Sequence, residues 1–383
     1  MSNDRLLEPL PLSASAPDLD ALRRVLDGST SVLPVPMSDS TETARLTKSL
    51  GAGEPVDPDV ALVIATSGTT GIPKGALHSA ASLLASIDAT HDRLGGPGGW
   101  LLALPPHHIA GLQVLLRSLR AGVEPVTMDV SDGFDPDVLV RALGSMSSTR
   151  RYTSLVPTQL IKVLENPSAT AALADVDAVL VGGAATPAPL REKALAAGIP
   201  VVRTYGMSET CGGCVYDGAP LRGVRIRVDG DATGRVFLGG PMVASGYRGL
   251  PEHPAFAEPG WFRTDDIGTV GPDGILAIVG RADEAITSGG LTIIPQVVEA
   301  AILSDPAVGD CAVFGLPDDR LGQKVVAAVV AAPGTTPTAE SVRAAVARTL
   351  DRTAAPRDVF FVDELPRRGP GKVDRAALRA LLS

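Results

Sequence analysis

The stretch VALVIATSGTTGIPKG, residues 60–75, sets an apolar run directly before a Gly, Ser and Thr segment that ends on Lys74 and Gly75. An uncharged run of this length, bounded by turn-forming residues, predicts a strand buried on both faces. In the segment that follows, Thr66-Ser67-Gly68-Thr69-Thr70-Gly71-Ile72-Pro73-Lys74-Gly75, the glycines let backbone approach an anion, the hydroxyls donate to phosphate oxygens and Lys74 supplies a charge. By its chemistry it is a phosphate loop. It is not a Walker A loop, because Pro73 precedes Lys74 where that motif needs glycine. A Gly/Ser/Thr run by itself is as often a flexible turn, so its meaning depends on what accompanies it.

Outward from this stretch, further short apolar runs stand at residues 100–104, 178–181 and 199–202, with helix-like segments at 112–119 and 190–197. Strand alternating with helix predicts a layered α/β core. From about residue 218 to 279 the texture changes to short runs separated by Gly, Pro and Asp, which predicts a β-rich subdomain of antiparallel strands. Beyond Arg281 the order is helix (295–303), strands (311–314 and 325–330), helix (339–350) and a last helix from Arg375. This predicts a large N-terminal α/β domain over residues 1–281 and a small α+β domain over 282–383, with the boundary in Gly280-Arg281-Ala282-Asp283.

Composition removes several classes of function. The chain has 383 residues, a net charge of -9 and interspersed acids and bases, so it offers no broad cationic field for a nucleic-acid backbone. The longest uncharged apolar run, 325–332, is too short to span a bilayer. The N-terminal segment lacks the basic start and apolar stretch of a secretory signal, and the expected location is cytoplasmic. Cys211, Cys214 and Cys311 are an odd number of thiols, suited to a reducing compartment. The Cys211/Cys214 spacing is that of a zinc or redox pair but has no second pair, and two small residues in a pocket wall is the preferred reading. Oligomeric state is not fixed by the sequence; a homo-oligomer is compatible with it.

Four segments accompany the loop. Tyr205-Gly206-Met207-Ser208-Glu209-Thr210 offers an aromatic face, a hydroxyl and a carboxylate suited to Mg²⁺; Trp261-Phe262-Arg263-Thr264-Asp265-Asp266 puts acids after a strand-like run. Gly280-Arg281-Ala282-Asp283 and Pro366-Arg367-Arg368-Gly369-Pro370-Gly371-Lys372 supply cations. Each alone reads equally as a turn, a core tyrosine, a solvated acid pair or a basic tail. In this order they resemble the adenylate-forming superfamily of acyl-CoA synthetases, peptide-synthetase adenylation domains and luciferases, over residues 60–372.

The resemblance implies an enzyme that activates a small-molecule carboxylic acid with ATP and Mg²⁺ and passes the acyl group to coenzyme A. It implies that Thr66, Ser67, Gly68, Thr69, Thr70, Gly71 and Lys74 hold the phosphates, and that Ser208, where the family usually has Thr, contacts the α-phosphate. Glu209 would bind the metal. Tyr205 and Gly206 would lie against the adenine beside Gly183 and Ala184, and Asp266 and Arg281 would hold the ribose. Lys372 corresponds to the adenylation lysine, Asp283 to the hinge of a mobile C-terminal domain, and Gly289 and Gly290 to a loop lining the pantetheine tunnel. Asp265 is a departure, standing where many members have glycine.

Pro105-Pro106-His107-His108-Ile109-Ala110-Gly111 resembles the family segment whose histidine, here His108, borders the acyl pocket. The short N-terminal side and the continuation of this segment into Arg117, with Tyr205-Gly206-Met207-Ser208-Glu209-Thr210, look like those acid–CoA ligases whose substrate is a dianion, and the resemblance implies one carboxylate activated and the other held unreacted. A buried carboxylate needs a cation, and Arg117 is the first candidate and Arg203 the second, with a structural ion pair the alternative for either. A ligase for another aromatic or short acid, a stand-alone module loading a carrier protein, and a non-catalytic binder on the same fold are the competing readings.

Overall fold

The structure is a computed structural model that describes residues 5–66, 73–230, 233–368 and 372–382, but not the side chains at 368 and 372. The chain forms two compact units: one comprises Met1–Arg227, Phe237–Arg263 and Gly274–Leu276, the other Val228–Val236, Thr264–Asp273 and Ala277–Ser383.

The first unit is built on a seven-stranded sheet. Its order is Ala219–Pro220, Gly212–Tyr216, Val201–Met207, Ala178–Val181, Arg151–Leu155, Gly99–Leu102 and Val126–Thr127. Pairing is parallel from Val201–Met207 through to Val126–Thr127, and antiparallel in the two strands beyond Val201–Met207. Parallel strands are covered on both faces, which is why Ala178–Val181 is buried at every position and reads as unbroken apolar sequence. On one face Leu101, Leu155, Val179 and Val201 pack with Leu139, Leu160 and Leu173 of the crossover helices. On the other, helix Ile109–Arg120 packs against helices Leu19–Leu26 and Ala80–Arg93.

A second sheet of this unit has the order Glu8–Leu12, Val32–Pro36, Leu62–Thr66, Lys74–His78. Its last two strands form an antiparallel ladder from Leu62 opposite His78 to Thr66 opposite Lys74. The apolar run before the phosphate loop is therefore a strand, as its sequence predicts, and Lys74 opens the strand that returns from the loop. Ser67, Gly68, Thr69, Thr70 and Gly71 lie outside the described residues.

In the β-rich segment, strands Arg225–Asp229, Gly234–Gly239, Trp261–Val270 and Leu276–Arg281 form a sheet in chain order. In the second unit, Val308–Asp318 and Gly322–Ala331 make a long antiparallel hairpin, flanked by Asp358–Phe361 and by the short strands Ile286–Ser288 and Leu291–Ile293. Val313, Val325, Ala327 and Val329 pack beneath helices Pro295–Ile302 and Ala339–Ala347 on one side. Phe314, Val326 and Ala328 pack with Leu378 of helix Arg375–Leu382 on the other. No helix among the described residues is long and apolar enough to cross a membrane.

Candidate active site

In open α/β sheets, ligands settle in the loops outside the carboxyl ends of parallel strands. Three such loops of the first unit carry expected site residues: His108 after Gly99–Leu102, Gly183 and Ala184 after Ala178–Val181, and Ser208 and Glu209 after Val201–Met207. Tyr205 and Gly206 lie on the last strand itself, where the register against Gly212–Tyr216 shifts.

The turn Ser208–Thr210 is a single short 3-10 helix, with too few internal bonds to fix itself. Its shape is imposed from outside. The Ser208 carbonyl accepts from His78 Nε2 at 2.7 Å, the Glu209 carbonyl from the Ala244 amide at 2.8 Å, and the Cys211 carbonyl from Gln113 Nε2 at 2.9 Å. Thr210 Oγ1 accepts from the Met207 amide at 3.0 Å. Ser208 Oγ donates to the Ala65 carbonyl at 3.4 Å, which sets the hydroxyl beside the strand that enters the phosphate loop.

Glu209 is buried, with 8 % of its surface exposed, and its Oε1 accepts from the Tyr247 hydroxyl at 2.5 Å. Tyr247 is delivered by backbone pairing: Gly246 O accepts from Leu77 N at 3.0 Å and Arg248 N donates to Gly75 O at 2.8 Å, along the strand Lys74–His78. The Lys74 ammonium lies 5.2 Å from the centre of the Tyr247 ring and 3.1 Å from His253 Nε2. The unit thus brings Thr66, Lys74, Ser208 and Glu209 together.

The expected acyl residues do not meet in this way. His108 is the exposed N-cap of helix Ile109–Arg120, and Gly111 lets that helix close on the preceding loop, since a Cβ there would sit 2.3 Å from the Pro105 carbonyl oxygen. Burial, and then the neighbouring His108, push the His107 imidazole down to about 4. Arg117 is nine residues further along the helix, roughly 13 Å of rise from His108. It stacks on Trp100 at 5.1 Å, and Trp100 is the second residue of the strand Gly99–Leu102, so Arg117 lies toward the amino end of the sheet. Arg203 is exposed and faces Asp217 at 3.6 Å. Arg117 and Arg203 therefore each have a partner away from His108.

Within the second unit, Arg281 gathers the acids of its surroundings. Its guanidinium forks onto Asp283 at 2.9 and 2.8 Å and reaches Asp266 Oδ1 at 3.3 Å. Asp265, the extra acid, is taken by Arg235 at 2.7 Å. Gly289 and Gly290 form a two-residue hairpin with φ of 58° and 82°, a left-handed pair that glycine adopts without strain. The backbone of Lys372 pairs with Arg368 in a short hairpin; its side chain lies outside the description.

Sequence reasoning missed His78, Gln113 and Tyr247. His78 had a signal, since it shares a strand face with Lys74 at a spacing of four residues, two periods of a strand. Tyr247 had none, because the backbone pairing that brings it to Glu209 joins distant segments.

A buried carboxylate and a hydroxyl at the carboxyl end of a parallel sheet, beside the two strands that bracket a Gly/Ser/Thr segment, fit a class of enzymes that handle a phosphate-bearing ligand. The chain belongs to the AMP-binding enzyme family, whose pattern matches residues 9–248, and the family's C-terminal domain matches residues 297–372. It is 60% identical over 369 residues to a probable 2-succinylbenzoate–CoA ligase of Mycobacterium tuberculosis (strain ATCC 25618 / H37Rv), covering 96% of this chain and 95% of that protein. It is 32% identical to a 2-succinylbenzoate–CoA ligase of Geobacillus sp. (strain WCH70), covering 85% of this chain and 69% of the relative. Among solved structures, o-succinylbenzoate CoA synthetase from Bacillus subtilis, in complex with its acyl-adenylate intermediate, superposes with a TM-score of 0.74 at 28% identity, over 94% of this chain and 81% of that one.

Proposed function

We propose that the protein is an acid–CoA ligase that converts 2-succinylbenzoate to 2-succinylbenzoyl-CoA, a step of menaquinone synthesis, through an acyl-adenylate. The observation that carries the reading is the turn that puts the Ser208 hydroxyl and the Glu209 carboxylate beside the strand entering the phosphate loop, in a chain 60% identical to a probable ligase of that acid.

In the first step an oxygen of the succinyl carboxylate attacks the α-phosphorus of ATP, the bond to the bridging oxygen breaks, and pyrophosphate leaves. Residues 66–71 and Lys74 are assigned to the phosphates, Ser208 to the α-phosphate, and Tyr205, Gly206, Gly183 and Ala184 to the adenine. Asp266 and Arg281 are assigned to the ribose. Lys372 is assigned to the charge that builds on the α-phosphate oxygens as carboxylate and pyrophosphate share the phosphorus. Glu209 suits Mg²⁺, being a hard oxygen donor that accepts from the Tyr247 hydroxyl. When bound, that ion would neutralise phosphate charge. In the second step the thiol of CoA attacks the carbonyl carbon, the bond to the AMP oxygen breaks, and the thiol proton is released. The C-terminal domain, from residue 282, is read as moving about Asp283 between the steps, with Gly289 and Gly290 in the thiol's path.

His108 is assigned to the acyl pocket. Arg117 and Arg203, expected to hold the second carboxylate, are engaged with Trp100 and Asp217, and either would have to leave that partner to reach an acid seated at His108. The deciding experiment is acid-dependent AMP release over a panel of acids, with CoA or a carrier protein as acceptor. The expected result is turnover with 2-succinylbenzoate and CoA. Turnover with benzoate or a fatty acid but none with 2-succinylbenzoate overturns the choice of acid, and acylation of the carrier protein but not CoA overturns the choice of acceptor.

A further inference from the structure

The sharpest unassigned feature of the first unit is a buried histidine. His78 ends the strand Lys74–His78 with none of its surface exposed. A carbonyl can only accept, so the 2.7 Å contact with Ser208 O makes Nε2 the protonated nitrogen. The other nitrogen, Nδ1, is then an acceptor. Two groups reach it: Cys211 Sγ at 3.2 Å and Ser82 Oγ at 3.4 Å. The single Ser82 hydroxyl proton goes to the Ser79 carbonyl at 2.8 Å, and the Cys211 thiol, nearer to Nδ1 at 3.2 Å than to Ser82 Oγ at 3.9 Å, is the donor to Nδ1. Burial suits the neutral imidazole, since it pushes His78 down to about 4.

The two bonds straddle the turn that holds Ser208 and Glu209. Ser208 is its first residue, and Cys211, just past its end, sits in the left-handed region at φ 53°. That conformation is costly for a residue with a side chain and persists only where its surroundings enforce it. The imidazole grips the turn at both ends from the strand that returns from the phosphate loop, four residues past Lys74.

We propose that His78 is a positioning residue for adenylation: its Nε2–H holds the Ser208 carbonyl and its Nδ1 accepts the Cys211 thiol proton, so that the Ser208–Glu209 turn keeps one geometry against the strand Lys74–His78. The inference rests on the roles given to Ser208 and Glu209 above. It differs from a packing role in what it demands of substitutions. Glutamine can present an amide N–H near the place of Nε2 and leucine cannot, although both fill much of the same space.

The test is acid-dependent pyrophosphate exchange on the full-length enzyme with 2-succinylbenzoate, comparing His78→Leu, His78→Gln and Cys211→Ala. His78→Leu should lower kcat about tenfold or more while KM for the acid moves about twofold or less, and His78→Gln should recover to within about threefold of the parent. Equal rates for His78→Leu and the parent, or no advantage of Gln over Leu, overturn the proposal. An inactive parent with every acid overturns the underlying reading instead. If His78→Leu does not fold, Cys211→Ala and the tautomer decide. Nitrogen NMR of ¹⁵N-histidine-labelled protein should give an Nε2–H imidazole at neutral pH, with an Nδ1 signal that shifts in Cys211→Ala. An Nδ1–H tautomer sinks the assignment.

Discussion

The Ser208–Thr210 turn of the first unit and the Arg281 cluster of the second present opposite ways of holding functional groups. Around the turn the fixing bonds are largely buried and nearly all neutral: imidazole and amide N–H groups donating to backbone carbonyls, and a thiol donating to an imidazole nitrogen. Around Arg281 they are ion pairs on side chains with solvent access; Arg281, Asp265 and Asp283 side chains are 38%, 55% and 25% exposed. A buried neutral network is expensive to disturb and specifies one geometry. Exposed ion pairs contribute little net stability, and water readily replaces them. The first suits the pre-formed nucleotide site proposed for the turn, the second the hinge proposed at Asp283.

The largest effect expected is at Lys372. Lys372→Ala should lower adenylation on the order of 100-fold or more, as loss of a single donor to transition-state charge does, while thioester formation from preformed adenylate stays nearly intact. Equal loss of both steps would remove Lys372 from the role proposed for it. Next comes the bond that aims Glu209. Tyr247→Phe deletes a hydroxyl donated to a buried carboxylate and should lower kcat about tenfold, with a higher Mg²⁺ requirement. An unchanged Mg²⁺ dependence would mean that Glu209 is not set by Tyr247.

The buried side of the comparison also predicts a pH dependence of stability. His78 is held at about 4 against an ordinary 6.5, chiefly by burial, and among the described residues the groups bonded to its ring, from Ser82, Ser208 and Cys211, are uncharged. The unfolded chain takes up a proton near pH 6.5 that the fold refuses until about pH 4. The contribution is therefore complete above pH 6.5 and lost as pH falls through that window, about 3 kcal/mol in all. His91 and His107 are lowered in the same direction, so the measurement is a difference: urea unfolding of the parent and of His78→Gln at pH 7 and pH 4.5. The parent should lose more stability between the two pH values, and parallel losses would contradict the neutral burial of His78.

The parts of this molecule legible in its sequence are those where one segment carries its own signal. Ala178–Val181, buried throughout, announced a parallel strand, and Arg375 began the last helix where the pattern placed it. The strands Glu8–Leu12 and Val32–Pro36 were hidden by their prolines, which ordinarily argue against a strand. The structure accommodates them because Glu8–Leu12 is at the sheet edge, and Val32–Pro36 pairs with Leu62–Thr66 only at Val32. For the site, Ser208, Glu209 and Lys74 were legible because local motifs carry them. Tyr247, Gln113 and the Cys211–His78 bond were not, since each joins segments far apart in the chain. Arg117 shows the converse: its charge suggested a ligand, but helix geometry carries it to the far end from His108 and onto Trp100.

The smallest effects belong to exposed ion pairs, and they test the comparison from its weak side. Asp265 pairs with Arg235 and Arg203 with Asp217, in both cases with an exposed partner. Asp265→Ala and Arg203→Ala should each change stability by less than about 1 kcal/mol. Asp265→Ala should also leave KM for ATP within about twofold, because Asp266, with 10% of its side chain exposed, keeps its own contact with Arg281. Arg203→Ala should leave KM for the acid unchanged, since its guanidinium is already turned to Asp217. A tenfold rise in KM for ATP with Asp265→Ala would mean that the extra acid takes part in nucleotide binding. A tenfold rise in KM for the acid with Arg203→Ala would mean that this surface pair opens to substrate, and the contrast between a pre-set buried site and an exchangeable exposed one would no longer hold.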